Sequence, residues 1–339
     1  LTAIGLEVES VQDTGLAYKD FIVGQVLEEE KHPNADKLKL CKVDIGREKV
    51  DVVCGAPNVT KGMKVVYAPV GCVIPVNQMK IKAAKIRGVE SYGMMCSEYE
   101  LGISNEHDGI ISLEQDTEVG SSYADLSGMN DILIEIGITP NRQDCLGVLG
   151  VARDLAAAGI GKLKNREFKT EKGSFESPIK IEIQDNDICP AFAGSYIKNV
   201  KNVASPDWLQ KKLKSIGLRP ISALVDITNY VMFDQNRPLH VYDADKVKGK
   251  IIVRSAQDGE SFKALDEKTY DLKKGMCTIS DEEKVLGLGG IMGGESTGCN
   301  FDTINVLLES ALFDNVNTAR TGRDLSILSD ARYRFERGI

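Results

Sequence analysis

From Asp20 to Ala68 the chain repeats one short pattern: apolar and polar residues alternate for a few positions, and a Gly, Asn or Pro cluster then breaks the run. Phe21–Leu27, Lys39–Ile45, Val50–Cys54 and Met63–Ala68 each read as a strand. Alternation with period two gives such a strand one face for a core and one for water. Short strands at regular spacing have few ways to bury those faces. Residues 20–129 are therefore expected to close into a small β-barrel or sandwich.

Beyond residue 130 the texture changes. Ile132–Ile138 reads as a strand, Thr139–Arg142 as a turn, and Asp144–Ala158 as a helix rich in Ala, Leu and Val. Asp144 is placed to cap that helix or face its positive end, and Gly159 and Gly161 to stop it. The small side chains of Ala156, Ala157 and Ala158 suit packing against a sheet. Residues 164–176 are polar and aperiodic and read as a linker. Strands are then expected at Ile179–Ile183, Ala191–Lys198, Lys250–Arg254, Thr278–Ser280 and Thr303–Leu308. A helix is expected at Pro206–Ile216, with Ser205 as its N-cap and Gly217 past its end. Strands mixed with short helices make the second half α+β.

Charge narrows the function classes. A net charge of −8 argues against a protein that coats nucleic acid indiscriminately. The charge is uneven, however: Lys61, Lys64, Lys80, Lys82, Lys85 and Arg87 follow one another with no acid between them. Such a run is either a solvated face balanced by Glu28, Glu29 and Glu30 or a surface that meets phosphates. No apolar run approaches the roughly 20 residues of a membrane helix, and no signal segment opens the chain, so a cytoplasmic protein is expected. The first residue is not Met, and the chain is expected to be a piece of a longer one. The eight cysteines include no Cys-x-x-Cys pair and none close to a histidine. No metal site is expected, and the thiols are expected to be reduced and buried.

Three features of the second half carry chemistry. In Asp226–Asp243 a hydrophobic run opens at Thr228 and Asn229, turns at Asn236, Arg237 and Pro238, and leads into His240. Hydroxyl, amide and imidazole groups so close together either furnish a pocket for a polar ligand or include a core histidine with a structural hydrogen bond. Gly287–Glu295 is glycine-rich, but its spacing matches neither a dinucleotide loop nor a phosphate loop. Its glycines suit a backbone that comes close to a ligand or a neighbouring strand. Glu309 stands in apolar surroundings, where a carboxylate needs a partner; Arg219, Arg332, Arg334 and Arg337 are available for a salt bridge.

Several of these stretches resemble a known family. His32–Leu38, Cys54–Val59, Lys85–Ser91, Gly93–Glu98 and Glu100–Ile103 are similar to the tRNA-binding OB module shared by several aminoacyl-tRNA synthetases and their accessory factors. Thr139–Leu146 resembles the segment that follows this module in bacterial phenylalanyl-tRNA synthetase β subunits. Gly217–Ser222, Val225–Tyr230, Arg237–His240, Gly289–Glu295, Val306–Glu309 and Ser329–Gly338 resemble the editing (B3/B4) domain of that family. The resemblance implies a multidomain α+β chain. An OB-fold β-barrel (20–129) would be inserted in a small α/β domain (1–19 and 130–165), followed by a linker (166–176) and an α+β B3/B4 editing domain (177–339).

The same resemblance implies a function, namely tRNA binding and hydrolysis of tyrosine wrongly attached to phenylalanine tRNA. His240 and Glu309 would be the catalytic pair, with Glu309 reading the tyrosine phenol. Arg219, Thr228, Asn229, Gly293, Ser329 and Ala331 would bind substrate, and Lys61, Lys64, Lys80, Lys82, Lys85 and Arg87 would meet tRNA. Ser329 stands where the family usually has threonine and keeps the hydroxyl. The expected partners are tRNA(Phe) and an α subunit in a heterotetramer. ATP and Mg²⁺ would serve ligation in the full enzyme, with no cofactor in this stretch. No Ser-His-Asp or Cys-His pattern points to covalent catalysis. Two other readings are open. One is a tRNA-docking and subunit-assembly module with an inert B3/B4 pocket; the other is a transcription or small-ligand regulator, which the basic run and the barrel motifs oppose.

Overall fold

The alternating segments of the first third form an antiparallel sheet in the order Lys49–Cys54, Lys39–Asp44, Ile22–Lys31, Lys64–Ala68, Met94–Met95. Ser112–Leu113 also pairs with Lys64–Ala68. The computed structural model describes residues 1–13, 15–104, 107–128 and 131–339, so the boundary expected at 129/130 lies outside the described residues. Two compact units divide the chain: residues 10–134, and residues 1–9 with 135–339.

In the unit 10–134 the sheet curls until its ends meet, and Tyr92 N–H donates to Asp51 O at 2.9 Å. A register shift between Val26 and Glu28 bends the long strand, as a bulge does. The inward positions, among them Val26, Val43, Val52, Val65 and Tyr67, are buried together, so the barrel-like closure follows from the period-two pattern. The hairpin Ala84–Ile86 with Val89–Ser91 reaches the His32–Leu38 motif. Asn34 N–H donates to His32 Nδ1 (3.1 Å), which leaves Nε2–H to donate to Ile86 O (3.1 Å). His32 is thus a core histidine with both nitrogens used.

In the other unit two sheets enclose the main core. One has three strands, with Val306–Leu312 in the middle and Ala191–Ile197 and His240–Asp243 antiparallel on either side. The other runs Ile181–Ile183, Ile251–Ser255, Cys277–Ser280, Val285–Leu288, Met292–Gly293, with its first pair parallel. Tyr242, Leu307 and Ala311 from the first sheet meet Val253, Cys277, Ile279 and Leu286 from the second, with Phe313 and Phe335 beside them. The hydrophobic run before His240 is the helix Ala223–Gln235. It ends where Asn236 takes a left-handed conformation (φ 60°) that few residues but Asn and Gly adopt.

Several local expectations give way to stronger partners. Ser205 does not cap a helix: the helix is Asp207–Ser215 with Pro206 at its N-cap, and Ser205 Oγ donates to the buried Asp226 carboxylate. Asp226 also accepts from Ile221 N–H at 2.8 Å, so burial of that acid recruits the serine. Asp144 likewise caps nothing. The helix begins at Val148 after a 3₁₀ segment Pro140–Cys145, and Asp144 pairs with Arg142 and Arg153. That helix, Val148–Ala157, packs on the helix Ala223–Gln235 rather than on a sheet, and Ala157 and Ala158 are exposed. Residues 135–165 therefore share one compact unit with residues 166–339. Among the described residues, no helix is long and apolar enough to cross a membrane.

Candidate functional site

The strand pairing sets the site. His240 lies directly opposite Glu309 across the antiparallel pair, so both side chains leave the sheet on the same face. Period two adds Tyr242 to that face. The three groups line a cavity of about 460 Å³ between the two sheets. Its other walls include Thr228, Asn229 and Met232 from the helix Ala223–Gln235, Leu288 and Gly293 from the second sheet, and Ser329 and Ala331 at the start of the helix Asp330–Phe335.

Burial decides the protonation states. Glu309 is 6 % exposed, and desolvation pushes its carboxyl up to about 7 against the opposing hydrogen bond from Tyr242. The Tyr242 hydroxyl donates to Glu309 Oε2 at 2.5 Å, and its own proton is held well above the ordinary phenol range by burial. None of the arginines expected beside Glu309 is its partner; a phenol is. Burial also pulls His240 down to about 4, so the imidazole is neutral at neutral pH. Its Nε2 is buried with no hydrogen-bond partner among the described residues, whereas a structural histidine would have one. Gly293 lies flat against this ring: a β-carbon there would come within 2.7 Å of Nε2. Close approach, rather than a phosphate, explains the glycine.

Of the residues expected at the site, the cavity gathers His240, Glu309, Thr228, Asn229, Gly293, Ser329 and Ala331. Arg219 lies two residues past Gly217, beyond the turn that ends the helix Asp207–Ser215, and does not line the cavity. Two hydroxyls already have structural work. Thr228 Oγ1 donates back to Val225 O (2.7 Å), and Ser329 Oγ donates to Ile291 O while capping its helix by accepting from Arg332 N–H. Tyr242 was missed by sequence reasoning, although it lies two residues past His240 on one strand. Among the described residues, Asp144, Cys145 and Asp154 form a group with metal-ligand spacing, but the Arg142 guanidinium donates to all three. The chain's own cation holds that position.

Over 341 residues, covering all of this chain, it is 53% identical to the phenylalanine–tRNA ligase beta subunit of Rhodopseudomonas palustris. The chain belongs to the phenylalanine–tRNA ligase beta subunit family. The Brucella melitensis beta subunit is 55% identical over 343 residues, again across all of this chain. In both cases the chain spans 42% of the relative's length. The model described as "Putative tRNA binding domain" matches residues 21–122, and the "B3/4 domain" model matches residues 188–339, which contain the cavity. An N-terminal fragment of the phenylalanyl-tRNA synthetase beta-subunit from Pyrococcus horikoshii aligns over 56% of this chain and 61% of its own, at 19% identity and a TM-score of 0.32. The family assignment rests on the sequence identities, not on that likeness.

The basic run lies within the barrel-like module of this family member. Lys61, Lys80, Lys82, Lys85 and Arg87 form no ion pair among the described residues. Lys64 differs, because its ammonium donates to Thr117 O and so serves the module's own fold. All eight cysteines are free thiols, seven of them buried.

Proposed function

We propose that this chain binds tRNA(Phe) through its barrel-like module and hydrolyses tyrosine wrongly esterified to that tRNA in the cavity of its second unit. What carries the reading is the His240–Glu309 pair, in strand register inside a cavity within the stretch matched by the B3/4 model. A synthetic pocket shaped for phenylalanine rejects tyrosine poorly, since tyrosine only adds a hydroxyl. A second pocket that hydrogen-bonds the hydroxyl selects it sharply. Glu309 supplies the acceptor for that phenol. His240, neutral and with Nε2 unused, hydrogen-bonds the ester end or the attacking water; a group titrating near 4 is too weak a base to take its proton efficiently at neutral pH. An aminoacyl ester is already activated, so a positioned water suffices.

In this reading the barrel is an insertion in the small domain of 1–19 and 130–165, and the B3/B4 domain spans 177–339. Ligation with ATP and Mg²⁺, and assembly with an α subunit, belong to the longer protein. Thr228, Asn229, Gly293, Ser329 and Ala331 wall the substrate site; Arg219 would meet only tRNA outside the cavity.

The deciding assay is deacylation of Tyr-tRNA(Phe) by this chain, with Phe-tRNA(Phe) as the comparison. Selective release of tyrosine is the expected result, and no release leaves the inert docking module. His240→Ala is expected to slow that release by about a hundredfold or more. An unchanged rate takes His240 out of the mechanism. For the tRNA surface, Lys80→Ala, Lys82→Ala and Lys85→Ala together are expected to weaken tRNA binding. Each lost phosphate contact should flatten the plot of log affinity against log salt by roughly 0.7–0.9. An unaltered slope in filter binding or fluorescence titration moves the tRNA surface elsewhere.

A further inference from the structure

The hydroxyl of Tyr242 is the least explained group near the cavity. The residue is 1 % exposed, and phenylalanine would fill the same space without a polar atom to satisfy. The hydroxyl makes one hydrogen bond, to Glu309 Oε2, while Oε1 carries none among the described residues. The two residues are 67 apart in the chain, so this contact exists only through the pairing of His240–Asp243 with Val306–Leu312. The ring is further fixed edge-on to His240, with centroids 4.4 Å apart.

We propose that Tyr242 is the positioning residue that makes Glu309 a reader of phenols: its hydroxyl ties down Oε2, fixes the plane of the carboxyl, and leaves Oε1 to accept from the substrate. This deepens the editing function proposed above and rests on it. The groups facing Glu309 agree with the assignment. From its partner strand come Tyr242 and the neutral His240; Cys189, just before the strand Ala191–Ile197, is pushed up to about 12; and Cys277 on the second sheet is pushed well above its ordinary range. The directly opposed residue on the other side is Gly194, which carries nothing. Charge near Glu309 therefore comes from none of these neighbours at neutral pH. Its titration is set by burial, which favours the proton, and by Tyr242, which opposes it.

The test compares Tyr242→Phe with the unaltered chain by two readouts. One is the titration of the Glu309 carboxyl, followed by ¹³C NMR and assigned with Glu309→Gln. The other is the pH profile of tyrosyl over phenylalanyl ester release. Loss of the hydroxyl should move both midpoints upward by about one pH unit and lower selectivity several-fold at pH 7, with recovery at higher pH. A purely structural role would reduce release at every pH with no such recovery. An unmoved carboxyl midpoint overturns the proposal, as does a moved midpoint that selectivity does not follow. If the unaltered chain releases no tyrosine, the editing function falls. The carboxyl titration then still decides whether Tyr242 governs Glu309. In a Glu309→Gln background, Tyr242→Phe should change no pH dependence, and any change counts against the assignment.

Discussion

Glu309→Gln is expected to raise the melting temperature of the unit containing residues 135–339 at pH 8, and to change it little at pH 5. The folded carboxyl titrates near 7, against an ordinary 4.5, because burial disfavours its charge. A group whose proton is held more tightly in the folded state supports folding fully below 4.5. That support is lost as pH rises through 7, because the unfolded chain sheds the proton first. The gap of about 2.5 pH units corresponds to roughly 3 kcal/mol, at about 1.4 kcal/mol each. At roughly 2–4 °C per kcal/mol, this is several degrees. Glutamine keeps an oxygen to accept from Tyr242 and carries no charge at any pH. His240 has the opposite sign: held near 4 against 6.5, it supports folding above 6.5 and loses that support as pH falls through 4. Since both chains keep His240, the difference between their melting curves isolates Glu309. A difference that is flat from pH 5 to pH 8 means that Glu309 is not held neutral by burial. The same substitution removes the phenol acceptor, so tyrosyl over phenylalanyl selectivity should fall by about a hundredfold.

What the sequence made legible was local. Period-two alternation located the barrel strands because each residue there answers only to its own side of a sheet, and the left-handed Gly159 and Gly217 stop their helices where expected. Helix starts were misread at Asp144 and Ser205. In each case a charged group, Asp226 far along the chain or Arg142 two residues back, made a stronger bond than an exposed helix end offers. The cavity's composition was legible as residue types, but its geometry depends on which residue of His240–Asp243 faces which residue of Val306–Leu312. A slip by one position would turn Glu309 away from His240 and Tyr242. The partner of Glu309 was sought among arginines because a charged acid usually finds one. A carboxyl that burial has brought close to neutrality can be satisfied by a phenol instead, and that distinction has no signature in spacing.

Gly293→Ala is expected to cost deacylation about a hundredfold while leaving the fold intact. A methyl at this position would sit within 2.7 Å of His240 Nε2 and overlap the rest of the ring, so something must move. The backbone cannot retreat. Gly293 pairs with Gly287, the next residue's N–H donates to Leu286 O at 2.6 Å, and Gly293 O accepts from Leu265 N–H at 3.0 Å on the other side. The imidazole must therefore shift, and Tyr242, edge-on at 4.4 Å, blocks one direction. Overpacking of this kind costs about 1–3 kcal/mol of stability, which the chain should tolerate as a lowered melting temperature. The catalytic cost is larger in proportion, because a displacement of about 1 Å in a positioning group can cost roughly 10²-fold in rate. Gly161→Ala is the matched control, since a β-carbon there meets nothing within 4 Å. The stringent version combines the change with His240→Ala. Once the ring is gone the new methyl has room, so the double variant should release tyrosine no more slowly than His240→Ala alone. Additive losses would mean that Gly293 acts through the substrate or through the backbone, not by holding His240 in place.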